Sequence, residues 1–322
     1  MKTIEVILAA YNGCKYIREQ IFSILLNFDK LSDFDCKLLI SDDGSTDSTV
    51  EIIESIKLLD DRVFLINKDK KGGVKANFLC LINASNADYV FFSDQDDLWL
   101  PDKISLFIDR FNEVESDFSG PILVHSDLSV ADKNLSPINI SMFEYQNINK
   151  SPSFSQLLVS NSITGCVMAC NRELISILKK SNIKESIMHD WYAALCASAF
   201  GIITFIDKPL ILYRQHGGNQ VGAKSFALGD LIKTDSIKEK LQQTKKSIIR
   251  TRNQSAVFLS DFSTVLESDK KFLLADYIES FNESVTRRAN LFFNKNIKKH
   301  GTLRNVFFFI FYVLRGHNLR SE

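Results

Sequence analysis

The sequence predicts an α/β protein, a layered domain of parallel strands and crossover helices followed by a region that is helical throughout. Three observations predict it. Short β-rich runs alternate with amphipathic helical stretches through the first half, three of those strand runs end in polar clusters, and beyond about Gly222 only helical periodicity remains. In open sheets of this kind ligands bind beyond the carboxyl ends of the strands, so the polar ends mark the site.

Taken in order, TIEVILA (3–9) reads as a strand, YIREQIFSILLNF (16–28) as a helix and CKLLISD (36–42) as a second strand. STVEIIESIKLL (48–59), RVFLIN (62–67), VKANFLCLINAS (74–85) and YVFFSD (89–94) continue the alternation. Pro101 starts a helix, since its fixed φ suits a first turn. PILVHSDLSV (121–130) is a further strand, and residues 131–153 are polar and irregular. SITGCVMAC (162–170) predicts a strand, Arg172 opens a helix, MHDWYAALCASAFG (188–201) is another, and IITFIDKPLILYRQH (202–216) reads as a strand pair. Past residue 222, residues 237–262 and 270–293 read as two long amphipathic helices. The expected domains are therefore 1–222 and 223–322.

At 322 residues and 45% hydrophobic content the chain can bury one large core or two smaller ones. Formal net charge is zero, which gives no reason to expect a nucleic-acid partner. The balance is uneven: from Ser284 to Glu322 there are eight Lys/Arg against one acidic residue. Cys14, Cys36, Cys80, Cys166, Cys170 and Cys196 form no CxxC pair and read as reduced, structural thiols. The N-terminus carries Glu5 inside its short apolar run, unlike a signal peptide, so a cytosolic location is expected. The longest apolar run, Val306–Leu314, is too short to span a bilayer.

The polar ends carry the chemistry. In SDDGSTD (41–47), Gly44 permits a tight turn, Ser45 or Thr46 can cap the next helix, and Asp42 and Asp43 point into the crevice; a plain strand-turn-helix junction is the structural alternative. In SDQDD (93–97), Asp94, Asp96 and Asp97 follow a strongly apolar strand. Carboxylates this close resist ionising together unless a cation or donors compensate them. A hard divalent cation such as Mg²⁺ or Mn²⁺ fits, because one or two carboxylates hold it while it keeps waters or phosphates.

The motifs ILAAYNG, SDDGSTD, SDQDDLWLPDKI, MHDW and YRQHGGN, in that order, resemble the family 2 glycosyltransferases of GT-A fold over roughly residues 3–222. The resemblance implies that Ala10, Tyr11, Asn12, Asp42 and Asp43 bind the nucleotide, with Tyr11 and Asp42 at the base. It implies that Asp94 touches the ribose and Asp96 chelates the metal, Mn²⁺ or Mg²⁺. Asp190 matches the catalytic carboxylate, a base for an inverting transfer; a helix cap is its structural alternative. His189 stands where many members have Glu, which leaves its role open. Arg214 and His216 are expected on the leaving diphosphate, His216 also as a metal ligand, on a loop softened by Gly217 and Gly218. Trp99 and Trp191 are weaker candidates as sugar platforms, with core packing as the rival reading, and Gly165 is one for close approach of a sugar.

Within the family the motifs look most like bacterial rhamnosyltransferases of surface polysaccharides. That implies dTDP-L-rhamnose as donor and a lipid-pyrophosphate-linked (undecaprenyl) oligosaccharide as acceptor, as in O-antigen assembly. A UDP-sugar-dependent galactosyl- or glucosyltransferase is the nearest alternative. A metal-dependent phosphohydrolase would need a histidine-rich metal set or a phosphate-accepting nucleophile, neither of which is visible; a catalytically silent nucleotide-sugar-binding module is the other class. The tail residues Arg287, Arg288, Lys295, Lys298, Lys299 and Arg304, ahead of Phe307, Phe308, Phe309 and Phe311, suit an interfacial helix on an anionic leaflet, or else a helix whose phenylalanines dock on the first domain.

Overall fold

The computed structural model describes residues 1–216 and 235–319. Gly217, Gly218, Asn219 and the boundary near residue 222 lie outside the described residues. The strands are β1 (Lys2–Ala10), β2 (Phe34–Asp42), β3 (Val63–Asn67), β4 (Tyr89–Ser93), β5 (Leu98–Trp99), β6 (Ile122–Ala131), β7 (Pro137–Asn139), β8 (Met168–Asn171) and β9 (Ile202–Arg214). They form one sheet in the order β3-β2-β1-β4-β8-β6-β9-β5, with β7 paired to β6. The β3-β2-β1-β4 half is parallel, whereas β8 runs antiparallel to both β4 and β6. The fold is therefore a mixed α/β sheet covered by helices.

Between the strands lie α1 (Ile17–Phe28), α2 (Thr49–Lys57), α3 (Val74–Ala84), α4 (Lys103–Glu115), α5 (Met142–Gln146), α6 (Phe154–Leu157), α7 (Arg172–Lys180) and α8 (His189–Phe200). In α1, Ile17, Ile21, Ile24, Leu25 and Phe28 recur at helical spacing and are all buried. Full burial of each such side chain contributes about 1.5–3 kcal/mol. The same helix also buries a polar seam. Gln20 donates to Ser93 Oγ at 2.7 Å, the Trp99 N–H donates to Ser23 Oγ at 3.1 Å, and Asn27 bonds the Leu100 carbonyl and the Ile104 N–H. This seam pins the chain on either side of the acidic turn after β4.

Two expectations from the strand pattern need correction here. The strand pair read at residues 202–216 is one strand, β9. Its pairing with β6 jumps from Ser126↔Ile206 to Asp127↔Pro209, so Asp207 and Lys208 form a bulge rather than a hairpin turn. Residues 162–170 are strand only at their end: Gly165–Val167 is a 3-10 turn ahead of β8.

The described residues divide into two compact units. One comprises Met1–Phe143, Ile163–Lys184 and the chain from Met188 through β9; the other comprises Glu144–Ser162, Glu185–Ile187 and the helices that follow. Those helices are α9 (Asp235–Phe262), α10 (Ser268–Glu279), α11 (Val285–Phe293) and α12 (Thr302–Phe308), continued by a π-helical turn at Phe309–Leu314. The stretch read as one helix over 270–293 breaks at residues 280–284, because Ser284 caps α11 by accepting the Arg287 N–H at 3.3 Å. Arg288 is 1% exposed and donates to the carbonyls of Val313, Ser280 and Glu283. Phe308 and Phe311 are buried in this unit, Phe308 stacked on Tyr312. These three residues are core, so an interfacial helix cannot use them. Among the described residues no helix is long and apolar enough to cross a membrane.

Candidate active site

The tips of β1 and β2 meet through side-chain bonds to backbone. Asn12 adopts a left-handed φ of 47°, its N–H donates to Ser45 Oγ at 2.8 Å, and its Oδ1 accepts the Thr46 N–H at 2.9 Å. Asp42 is fully buried, and its two oxygens accept the Ser45 N–H (2.7 Å) and hydroxyl (2.5 Å). Asp43 accepts the N–H groups of Lys71, Gly72 (2.8 Å) and Gly73 (2.7 Å). Desolvation works to raise the Asp43 pKa, but those three N–H donors prevail and hold it below the usual carboxylate range. Both aspartates thus shape loops, and neither points free into the crevice as their strand-end position suggested. The Tyr11 ring, by contrast, is 53% exposed.

A residue between the acidic ones joins this rim to the next strand. Gln95 accepts the Tyr11 N–H at 2.8 Å and donates to the Tyr11 carbonyl at 2.9 Å. A Cβ on Gly13 would lie 2.2 Å from Gln95 Oε1, so the glycine leaves room for Gln95 to keep both bonds.

After β4 the carboxylates separate by environment. Asp94 is half-buried, and desolvation, then the charges of Asp96 and Asp190, push it up to about 7. Asp97 is fully buried beside the Cys166 thiol and is also raised, first by burial and then by Asp96 and Asp94. Lys103 supplies the counter-charge. It is fully buried, donates to the Cys166 carbonyl at 2.8 Å and sits 3.5 Å above the Trp99 ring. Burial lowers it to about 7 against the upward pull of Cys166, Asp97 and Asp94. Trp99 is 2% exposed, which makes it a core residue under Lys103 and rules out a sugar platform.

Asp190 lies in the first turn of α8. It is half-buried, its Oδ1 accepts the Trp191 N–H at 2.6 Å, and the Gly165 N–H also donates to it. Burial outweighs these donors and raises it to about 6. Because its charge is felt at Asp94, α8 delivers it to the same crevice as the β4 tip. Trp191 beside it is partly exposed. His189 turns the other way, 4% exposed and stacked on Phe78 (4.0 Å) and Phe92 (5.7 Å). A Cβ on the buried Gly165 would stand 3.0 Å from His189 Nε2, so this glycine admits the imidazole and need not admit a sugar.

The end of β9 closes the site. His216 Nε2 lies 2.7 Å from Asp96 Oδ2, with both side chains partly exposed. Arg214 is buried instead. Its guanidinium donates to the Asp96 carbonyl (2.8 Å), the Lys133 carbonyl (2.8 Å) and Glu19 (2.5 Å), and lies 4.5 Å from the Tyr16 ring. These bonds tie Arg214 to the backbone of Asp96 and use three of its five N–H donors. Glu19, Gln20, Gln95, Lys103 and Cys166 were missed from the sequence. Only the spacing of Gln20, Ser23 and Asn27 along one helix face could have signalled part of this.

A family model described as Glycosyl transferase family 2 matches residues 5–177. The chain is a family 2 glycosyltransferase. It is 34% identical over 232 residues to the dTDP-rhamnosyl transferase RfbG of Shigella flexneri, covering 67% of this chain and 74% of that one. A shorter match, 34% over 118 residues, is to the UDP-Glc:alpha-D-GlcNAc-diphosphoundecaprenol beta-1,3-glucosyltransferase WfaP of Escherichia coli, covering 37% of this chain and 44% of that one. The fold is similar to residues 1–349 of S. aureus TarS solved with UDP-GlcNAc, with a TM-score of 0.55 and 17% identity over 91% of this chain and 75% of that one. This family 2 enzyme therefore has the GT-A fold with a helical C-terminal region.

Two donor sets in the family 2 site are candidates for a cation. Asp94, Asp97 and Cys166 bring ligand atoms within 4.8 Å of one another. Burial and the neighbouring carboxylates keep the Cys166 thiol protonated, however, and Lys103 already balances that pocket. Asp96 and His216 offer oxygen and nitrogen at the open edge, next to the charge-strained Asp94. That second set fits Mn²⁺ or Mg²⁺ better.

Proposed function

We propose that the chain is an inverting, divalent-cation-dependent transferase that moves L-rhamnose from dTDP-L-rhamnose to a lipid-pyrophosphate-linked oligosaccharide. The observation that carries the mechanism is the pairing across one crevice of Asp190, raised to about 6, with the acidic tip at Asp94 and Asp96. Asp190 takes the proton of the acceptor hydroxyl as that oxygen attacks the anomeric carbon. The bond from that carbon to the diphosphate oxygen breaks on the opposite face, which inverts the centre. One carboxylate suffices, since a double displacement would need a second as nucleophile.

When bound by Asp96 and His216 with support from Asp94, a divalent cation would neutralise charge on the departing diphosphate. Arg214 fixes the backbone of Asp96 from behind. The exposed Tyr11 ring faces the base, with Ala10 and Asn12 beside it, while Asp42 and Asp43 act through the loops they hold. The rhamnose assignment is supported by the likeness to RfbG, and the acceptor class by the diphosphoundecaprenol acceptor in the name of WfaP. That same name favours a second reading, a UDP-sugar donor. An acceptor of this kind would be met at the cytoplasmic face of the bacterial plasma membrane, with the protein held there peripherally.

The test pairs a donor panel with acceptor and Mn²⁺. Free nucleoside diphosphate should appear only when acceptor is present, fastest with dTDP-L-rhamnose, and Asp190→Asn should abolish release while still binding donor. Release without acceptor, or substantial turnover by Asp190→Asn, overturns the mechanism; a preference for a UDP-sugar overturns the donor alone.

A further inference from the structure

The backbone at the β1 tip is held by side chains of other elements. The Asn12 N–H donates to Ser45 Oγ at 2.8 Å, the Gly13 N–H to Thr49 Oγ1 at 2.8 Å and the Cys14 N–H to Asp47 Oδ2 at 3.2 Å, which ties this stretch to the turn and helix after β2. Tyr11 is tied the other way. The parallel ladder between β1 and β4 ends at Leu8↔Ser93, and Gln95 carries the connection beyond it. Its carboxamide accepts the Tyr11 N–H at 2.8 Å and donates to the Tyr11 carbonyl at 2.9 Å, so one side chain engages both main-chain groups of one residue, as a neighbouring strand would.

The two ends of this clamp face different tasks. Gln95 stands between Asp94 and Asp96 in the chain, and Asp96 Oδ2 is 2.7 Å from His216 Nε2. Tyr11 turns an exposed ring outward from the rim. Gly13 lies against the clamp itself: a Cβ there would meet Gln95 Oε1 and Cδ at 2.2 and 2.5 Å, and the end of a glutamine side chain yields where backbone would not.

We propose that Gln95 is a positioning residue that fixes the span between the base site at Tyr11 and the cation site at Asp96 and His216, and so fits the enzyme to a nucleoside diphosphate. The inference rests on the transferase reading above. A nucleotide whose base lies on Tyr11 and whose diphosphate meets the cation engages two sites at once. Its second contact gains from the first only as far as the spacing of the sites is set in advance. The two bonds from Gln95 to the Tyr11 main chain set that spacing. Without them each site keeps its own contacts, and the gain from engaging both is lost.

The experiment uses calorimetry on the full chain to measure the affinity of dTDP and of UDP with and without Mn²⁺, and of Mn²⁺ alone. In the wild type Mn²⁺ should tighten the preferred nucleotide at least about tenfold. In Gln95→Met, similar in size but without the carboxamide, that factor should fall to about twofold, while Mn²⁺ alone and nucleotide alone bind within about twofold of the wild type. Gly13→Ala, which displaces the carboxamide and leaves Gln95 in the chain, should cause the same loss, and the double variant should be no worse than either single one. Where Gln95→Met fails to fold, Gly13→Ala decides. A linkage kept in full by the folded variants overturns the role of Gln95. So does a loss of affinity for Mn²⁺ alone and nucleotide alone that matches the loss for both together, or a double variant whose cost is the sum of the single ones, since either marks a residue that only stabilises the fold. A wild type whose nucleotide affinity ignores Mn²⁺ overturns the cation-dependent reading itself, and this inference with it.

Discussion

Replacing His189 by Phe tests the assignment of that residue to the core. The imidazole stacks on Phe78 and Phe92, and neither ring nitrogen has a hydrogen-bond partner among the described residues. Leaving a buried polar group unpaired costs about 1–3 kcal/mol, so His189→Phe should stabilise the first unit by that order at pH 7.5. A second contribution depends on pH. Burial lowers the folded-state pKa from 6.5 to about 3, so the unfolded chain takes up the proton first, and stability is lost as pH falls below 6.5. Each pH unit costs about 1.4 kcal/mol, hence about 2 kcal/mol at pH 5. Asp94 and Asp190 have raised values and slope the other way, but they are common to both proteins and cancel in the comparison. Both tryptophans, Trp99 and Trp191, lie in the first unit, so their fluorescence during urea unfolding reports on it. The advantage of His189→Phe should widen from pH 7.5 to pH 5. Parallel losses in the two proteins would refute the buried neutral imidazole.

Other expectations follow from the site. Asp96→Asn and His216→Asn should each weaken Mn²⁺ binding at least tenfold by calorimetry, and unchanged affinity would move the cation elsewhere. Lys103→Met removes the counter-charge from Asp94 and Asp97 and should destabilise the first unit by about 3–5 kcal/mol in urea near pH 7, and by less as pH rises and Lys103, lowered to about 7, loses its own charge. Because Asp190 must be deprotonated to act, kcat/KM should fall as pH drops below about 6, and a flat profile down to pH 5 would take the role of base from it.

Alternation of period-2 and helical patterns was enough to place β1 through β4 and α1 through α4, because strand-like and helical runs of apolar residues follow one another in strict turn. Pro209 misled the reading of β9: beside Asp207 and Lys208 it has the composition of a turn, yet a bulge absorbs both residues while the strand runs on. The acidic residues of the site were legible because unbalanced charge at a strand end is conspicuous. Their supports were not. Lys103 looks like any lysine opening a helix, and its burial beneath Asp97 arises from how α4 packs, which no local pattern encodes. The burial of Arg214 was hidden for a similar reason, since its partners Glu19, Lys133 and Asp96 are far apart in the chain.

The loop Lys71–Gly73 presents three consecutive amides to one point, with Gly72 and Gly73 at φ of 100° and 109°. Such a concave run of N–H groups is a receptor for anions, and here the protein plugs it with its own Asp43. A negatively charged guest therefore finds that berth already taken on the β2 flank. With that berth filled from within, the proposed cation at Asp96 and His216 on the β4 flank sets the guest's heading.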